Sequence, residues 1–261
     1  MLSNWIPVDT LPPLDSEVQL WQIQLSSAAN PSEHYKSLLS PLEQAHAEQY
    51  RHDQAREHFT IGRACLRILL GNAVSTDPRS VVISTGIHGK PETPAVDGKN
   101  IFFNIGHSKD MILIALSRQG ILGVDVEYFD RQTDIMEVAG CNFTEKETAS
   151  LASITDPEAR IRLFYRYWTR KEAVAKADGR GLLLPLSSFD VSHDSTNLHP
   201  VCVSDSTDDA GKSYFVSDLE LGDGAAGALA VESSNCGVTE LIFPLMSYSS
   251  LPKVGAPLVK T

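Results

Sequence analysis

The sequence predicts an α+β protein. Strand-like and helix-like segments occur in runs of one type rather than in strict alternation, and 42% of the residues are hydrophobic, which is enough to fill a core. The 261 residues allow one large domain or two modest ones. Two halves of roughly similar make-up meet near residue 120, although no sequence repeat relates them, so we expect two lobes.

Charge and cysteine content restrict the function classes. Lysine and arginine number 22 against 33 aspartates and glutamates, which gives a net charge of −11, whereas a dedicated nucleic-acid binder needs a basic surface. The four cysteines are scattered without a Cys-x-x-Cys pair, which suits a reducing cytoplasm. No apolar run reaches the length of a membrane span and no signal peptide is recognisable, so we expect a soluble cytoplasmic protein.

The first half predicts a strand, two helices and then several strands. Alternation around Val18–Leu25 predicts a strand, and Ser40–Glu43 forms a capping box that begins a short helix. Gln54–Leu70 has a helical pattern that Gly71 is expected to end. Three short predicted strands follow an Asp-Gly turn signal, at residues 101–105, 111–117 and 121–127.

The second half predicts one long helix followed by strands. Asp156-Pro157 begins a helix over about 157–177, which Asp178-Gly179 ends. Strand-like segments follow at residues 189–191, 201–203, 214–221 and 226–231. These elements predict an N-terminal lobe over 1–120, a C-terminal lobe over 121–235 and an irregular proline-containing tail over 236–261.

One predicted strand carries two carboxylates. Asp125 and Glu127 are two residues apart, so a strand places them on one face about 7 Å apart while Val124 and Val126 enter the core. Two carboxylates on one face fit a hard cation such as Mg²⁺. When this pattern stands alone, a solvated acidic face is the commoner interpretation.

The long predicted helix is basic in an acidic protein. Between Glu158 and Lys176 it carries six lysines and arginines against two acids, a local excess of 6 − 2 = 4 positive charges that indicates an anionic partner. Glu172 and Lys176 are four residues apart and share one face, although such a pair is commonly an ordinary stabilising ion pair. We take the surface Arg160–Arg170 as the candidate docking surface for this anionic partner, although much of its charge could instead serve a small anionic ligand or ion pairs within the chain.

Other polar residues suggest contacts with phosphate. Asn104, His107 and Ser108 end a predicted strand and could present an imidazole and a hydroxyl to a phosphate, although a strand-end cap is the simpler interpretation. Lys90 precedes a proline, so its extended backbone could place an ammonium in a cleft, although such a lysine is more often a solvated turn residue.

The helix at 54–70 carries further arginines. Arg63 could be a phosphate contact or part of a water-facing side of the helix, and the water-facing interpretation is favoured for Arg67.

Four motifs in this order resemble the 4′-phosphopantetheinyl transferase superfamily, in particular its monomeric two-lobed type named after the surfactin-synthetase activator. The motifs are Gly-Lys-Pro (89–91), Phe-Asn-Ile-Gly-His-Ser (103–108), Gly-Val-Asp-Val-Glu (123–127) and Trp-Thr-Arg-Lys-Glu-Ala-x-x-Lys-Ala-x-Gly-x-Gly-Leu (168–182). The resemblance implies two similar α+β lobes related by a pseudo-twofold axis. Each lobe is expected to be a small, mainly antiparallel sheet packed with helices, with the active site between the lobes.

The resemblance also implies roles for individual residues. Asp125, Glu127 and Glu172 match the family's metal-binding acids, and Lys176 matches its lysine near the reacting phosphate. The expected contacts with coenzyme A come from Lys176 and from Lys90, His107, Ser108 and, with a looser alignment, Arg63. Glu172, or a metal-bound water next to it, is the expected base. The family often has serine before the histidine, whereas this chain has Gly106.

The implied reaction transfers the 4′-phosphopantetheine arm of coenzyme A to a serine of an apo acyl or peptidyl carrier protein, with Mg²⁺ (or Mn²⁺) as the metal. Adenosine 3′,5′-bisphosphate is the expected second product. We expect a monomer that binds neither nucleic acid nor membrane. Two alternatives use the same residues: a Mg²⁺-dependent phosphohydrolase, and a non-catalytic module that binds coenzyme A or a carrier protein.

Overall fold

The computed structural model describes residues 6–8, 10–25, 35–86, 89–96, 98–194, 196–205, 208–243 and 245. The helices described are α1 (Pro41–Ala47), α2 (Asp53–Ala73), α3 (Ile135–Asn142), α4 (Glu145–Ser153) and α5 (Pro157–Asp178). The strands described are β1 (Ile6–Pro7), β2 (Val18–Gln24), β3 (Ser84–Thr85), β4 (Pro91–Glu92), β5 (Phe102–Ser108), β6 (Met111–Ser117), β7 (Leu122–Tyr128), β8 (His199–Asp205), β9 (Asp208–Asp218), β10 (Ala225–Val231) and β11 (Val238–Ile242). The predicted α+β class is confirmed.

The first sheet has the strand order β1-β11-β2-β6-β5 and packs against α2. The interior strand β6, between β2 and β5, is buried along its whole length. Its even-numbered residues Ile112 and Ile114 pack in the core with α2, while Leu113 and Ala115 pack against the second sheet. Since both faces of β6 are covered, its sequence is an apolar run rather than an alternating one.

The second sheet is antiparallel throughout, with the order β7-β10-β9-β8. Helix α5 packs across β7 and β10, and its ends match the sequence prediction. The Asp156 side chain accepts a hydrogen bond from the backbone N–H of Ala159, and Gly179 ends the helix with a left-handed conformation (φ 82°). The two sheets meet through a shared apolar layer that includes Leu113 of β6 and Val124 of β7.

The segment predicted as an irregular tail takes part in the first sheet. Val238–Ile242 forms β11, which pairs in parallel with β2 and with β1. The prediction is wrong for these five residues, because the chain returns from the second sheet to fill the edge beside β2. For the same reason the first sheet contains two parallel pairings, whereas a mainly antiparallel sheet was expected. Residues 246–261 lie outside the described residues.

Two local predictions are wrong: the strand at residues 189–191 and the end of the second helix at Gly71. Residues 189–191 form no strand, because their backbone groups bond to buried side chains: Lys171 donates to Phe189 O and Glu147 accepts from Val191 N, both at 2.7 Å. Helix α2 continues past Gly71. A Cβ there would lie 2.8 Å from Thr76 O, so this glycine lets the following loop approach the helix.

None of the described helices is long and apolar enough to cross a membrane.

Candidate active site

Strand β7 presents two acids at the junction of the sheets. Asp125 and Glu127 alternate with Val124 and Val126, which lie fully buried in the layer between the sheets. Asp125 is only 5% exposed, and Glu127 is half-buried. The predicted strand and the predicted core role of the two valines are confirmed. The acidic side of β7 is therefore largely buried instead of being a solvated face.

Helix α5 brings a third acid and a lysine to this strand. Glu172 and Lys176 are one helical turn apart, and Lys176 Nζ lies 2.7 Å from Asp125 Oδ1 and 3.1 Å from Val124 O. The close approach depends on Gly123, where a Cβ would lie 2.1 Å from Ala173 O and 2.5 Å from Ala177 N. The helix therefore lies directly on the backbone of β7.

The three carboxyls interact electrostatically. Burial raises the pKa of Asp125, although the ammonium of Lys176 opposes this. Burial also raises the pKa of Glu172, and the nearby charge of Asp125 adds to the effect. The pKa of Glu127 is raised by burial as well, while a hydrogen bond from Ser108 opposes the rise. A cluster of partly buried acids whose negative charges disfavour one another is stabilised by a cation.

The carboxylates of β7 and α5 are suitable ligands for a divalent cation, but they do not form a complete metal site by themselves. Asp125 Oδ2 is buried and has no hydrogen-bond partner, and carboxylate oxygens are the preferred ligands of Mg²⁺. Among the described residues, no group of three histidine, cysteine, aspartate or glutamate side chains is already arranged to hold a metal ion. Mg²⁺ is commonly held by one or two carboxylates together with substrate phosphates, which agrees with this partial arrangement.

Similarity to known proteins identifies the family. The family model for the 4′-phosphopantetheinyl transferase superfamily matches residues 121–229. The 4′-phosphopantetheinyl transferase HetI of Nostoc sp. is 34% identical over 183 residues, which cover 69% of this chain and 76% of HetI. The chain belongs to the 4′-phosphopantetheinyl transferase superfamily. The family expected from the four motifs is confirmed.

Two further transferases of the superfamily are similar in sequence to this chain. The 4′-phosphopantetheinyl transferase Sfp of Bacillus subtilis is 29% identical over 160 residues, which cover 61% of this chain and 69% of Sfp. The 4′-phosphopantetheinyl transferase AcpT of Escherichia coli is 31% identical over 158 residues, which cover 60% of this chain and 75% of AcpT.

The departure from the superfamily pattern at Gly106 has a packing reason. A Cβ at this position would lie 2.9 Å from Val124 O and 3.1 Å from Asp125 Cα. Strand β5 therefore contacts β7 through the glycine backbone, at the residue that carries the first acid. In this chain, a serine at position 106 would have to displace one of the two strands.

A cavity of about 300 Å³ lies between α2 and β5. The ring of His107 is 6.3 Å from the ring of His58, and the guanidinium of Arg63 lies 5.5 Å from the centre of the Phe59 ring. Arg63 also forms an ion pair with Glu43 (3.6 Å), but its Nε has no hydrogen-bond partner. The cavity lining includes Tyr50, His58, Arg63, Pro91, Asn104 and His107.

Arg63 and His107, which the resemblance gives separately as coenzyme A contacts, thus line one cavity, and their contact with coenzyme A stays a prediction. Sequence reasoning missed His58, although it precedes Arg63 by five residues on the same helix.

The remaining predicted contacts have different surroundings. Ser108 Oγ donates to Glu127 Oε2 at 2.8 Å, so this hydroxyl touches a predicted metal acid. Lys90 Nζ donates to Lys176 O at 2.6 Å and to Leu122 O at 3.2 Å. Burial lowers the pKa of Lys90 to about 8. Lys90 therefore joins the end of α5 to the start of β7, and its contact with a nucleotide stays a prediction.

The lysine contacts predict an effect on stability. Replacing Lys90 with methionine removes charge-assisted hydrogen bonds to the last carbonyls of α5. Such bonds contribute about 1.5–3 kcal/mol, and burial of the ammonium offsets part of this, so the free energy of unfolding should fall by less than that amount. Urea unfolding measures this change, and the exposed Lys99→Met variant is the control. An unchanged free energy of unfolding with a raised KM for coenzyme A would show that the ammonium serves the substrate only.

The basic residues of α5 mostly form internal contacts. Arg170 is fully buried and donates to Asp218 at 2.6 Å, and Arg166 donates to the same carboxylate at 2.7 Å. Lys171 forms a fully buried ion pair with Glu147 (2.8 Å). The hypothesis of an exposed basic docking surface is therefore wrong for Arg166 and Arg170, because their charges hold α5 to the second sheet.

Arg67 of α2 is also buried, and it donates to Glu43 Oε2 at 2.7 Å. The water-facing position expected for this residue is therefore wrong.

Proposed function

We propose that this protein transfers the 4′-phosphopantetheine arm of coenzyme A to a serine of an apo acyl or peptidyl carrier protein, and that the reaction requires Mg²⁺. The observation that carries the proposal is the junction of β7 and α5, where Asp125, Glu127, Glu172 and Lys176 come together. Membership of the superfamily and the names of the relatives support the same reaction.

The reaction forms one phosphorus–oxygen bond and breaks another. The serine hydroxyl of the carrier attacks the phosphorus that bears the pantetheine arm, and adenosine 3′,5′-bisphosphate leaves with the electrons of the broken bond. Since phosphoryl transfer depends mainly on positioning and on neutralising charge, the acids and cations at the junction supply what the reaction needs.

The chain's own residues divide these tasks. Asp125, Glu127 and Glu172 would hold Mg²⁺, which when bound neutralises phosphate charge. Glu172 lies one helical turn before Lys176, so one face of α5 presents a proton acceptor beside a cation, and we assign Glu172 as the base for the serine hydroxyl. Lys176 lies beside Asp125 and would stabilise negative charge on the transferred phosphate.

The cavity between α2 and β5 is the proposed place for a phosphate-bearing part of coenzyme A. Arg63 and His107 line it, and His107 directly precedes the serine that contacts Glu127. We further propose that the enzyme acts as a monomer in the cytoplasm. The four cysteines, all free, agree with a reducing compartment.

Chromatographic detection of adenosine 3′,5′-bisphosphate tests the reaction class. We expect release only when coenzyme A, Mg²⁺ and an apo carrier are all present. Release without a carrier would support the phosphohydrolase, and coenzyme A binding without release would support the binding module.

Mg²⁺ should also stabilise the fold in a pH-dependent way. In the metal-free protein the three carboxyls bind protons more tightly when folded than when unfolded. Their contribution to stability is therefore present at acidic pH and is lost as pH rises through the raised pKa values. Mg²⁺ binds the charged form, so it should raise Tm more near neutral pH than at acidic pH. Thermal unfolding measures this, and an equal shift in Asp125→Asn would contradict the metal assignment.

A further inference from the structure

One face of β5 is joined to β7, although the two strands belong to different sheets. Asn104, Gly106 and Ser108 occupy alternate positions of β5, so they share one face. Each of them contacts β7. The three contacts run along the strand beside the two acids.

The first two contacts fix the backbone around Asp125. Asn104 Oδ1 accepts a hydrogen bond from the backbone N–H of Val124 at 2.9 Å, and both groups are buried. The backbone of Gly106 lies against Val124 and Asp125, with no room for a side chain.

The third contact fixes a side chain as well as the backbone. Ser108 Oγ donates to Glu127 Oε2 at 2.8 Å and accepts from the backbone N–H of Tyr128 at 3.1 Å. A hydroxyl has one proton to donate, so the proton directed at Glu127 is committed to that carboxylate. The N–H of Tyr128 fixes the direction of the hydroxyl, and the hydroxyl in turn orients the carboxylate.

We propose that Ser108 is a positioning residue, whose hydroxyl orients the carboxylate of Glu127 for a divalent cation and does not itself bind coenzyme A. This inference rests on the proposed metal site of the transferase. Removing a hydrogen-bond partner of a metal ligand commonly lowers the affinity for the metal by about 10–100-fold. The β5 motif then has two separate tasks, because His107 lines the cavity while Ser108 serves the acid.

The test compares Ser108→Ala with Ser108→Thr, which keeps the hydroxyl. Ser117→Ala is the matched control, since Ser117 Oγ at the end of β6 also accepts from a backbone N–H, that of Gln119 (3.0 Å), without an acid as partner. Binding of Mn²⁺ to each protein, first alone and then with saturating coenzyme A, is followed by electron paramagnetic resonance. The Mg²⁺ concentration for half-maximal transfer and the KM for coenzyme A at saturating Mg²⁺ are measured separately.

We expect Ser108→Ala to weaken Mn²⁺ binding by about tenfold or more and to raise the Mg²⁺ requirement by a similar factor. The KM for coenzyme A at saturating Mg²⁺ should stay unchanged, Ser108→Thr should restore Mn²⁺ binding, and Ser117→Ala should bind Mn²⁺ like the parent protein.

Unchanged Mn²⁺ binding in Ser108→Ala, or the absence of Mn²⁺ binding by the parent protein, would overturn the inference. Weakened Mn²⁺ binding in Ser108→Ala, combined with a parent protein that modifies no carrier, would uphold the positioning role and contradict the proposed function.

Discussion

Replacing Asp125 with asparagine should lower the rate of phosphopantetheinyl transfer by about a thousandfold or more. The change keeps the shape of the side chain but removes the buried charge that pairs with Lys176. A metal ion contributes several kcal/mol to stabilising charge in the transition state, and each 1.36 kcal/mol corresponds to a factor of ten in rate. Initial rates of carrier modification at saturating coenzyme A measure the loss.

The control for this variant is Asp223→Asn, which makes the same change at a fully exposed carboxylate. We expect it to keep the parent rate. Circular dichroism should show that Asp125→Asn is folded, because asparagine keeps an acceptor oxygen for Lys176 and the Lys176 side chain is 28% exposed, so water can solvate its ammonium. A folded Asp125→Asn variant with a rate near that of the parent would contradict the role of this acid.

Adding a single methyl group at Gly123 should disrupt the site through the backbone. In Gly123→Ala the new Cβ would meet Ala173 O and Ala177 N of α5 at 2.1 and 2.5 Å, and neither backbone atom can rotate away. Overpacking of this kind costs about 1–3 kcal/mol and occasionally more. Since α5 must move away from β7, Glu172 and Lys176 also move away from Asp125, and we expect a loss of both stability and transfer.

Gly140→Ala is the matched control for this prediction. Gly140 lies in α3, and a Cβ there would have no neighbour within 4 Å. Alanine favours the helix over glycine by up to about 1 kcal/mol, so this variant should be as stable as the parent or more so. Urea unfolding measures both variants, and a Gly123→Ala protein with parental stability and activity would show that α5 does not lie directly on β7.

The sequence predicts the elements of the site well, because the relevant signals are local. Alternation placed Asp125 and Glu127 on one face of a strand, and the Asp156 cap with Gly179 bounded the helix that carries Glu172 and Lys176. Each of these signals depends on neighbouring residues only, so no knowledge of the tertiary structure is needed to recognise them.

The partners of the polar side chains depend on contacts distant in sequence. Lys90 bonds to carbonyls 32 and 86 residues away, and Arg170 pairs with a carboxylate 48 residues away. A basic helix face has the same sequence pattern whether its charges meet a partner protein or buried acids of the same chain. For the same reason, the pairing of β11 with β2 could not be predicted from the residues of the tail.

Phosphopantetheinyl transfer is measured most directly by the intact mass of an apo carrier protein after incubation with this protein, coenzyme A and Mg²⁺. We expect the carrier to gain one phosphopantetheinyl arm only when Mg²⁺ is present, and a carrier with alanine at the acceptor serine to gain nothing. An unmodified mass across several unrelated apo carriers, with measurable binding or breakdown of coenzyme A, would show that the protein is not a transferase for carrier proteins.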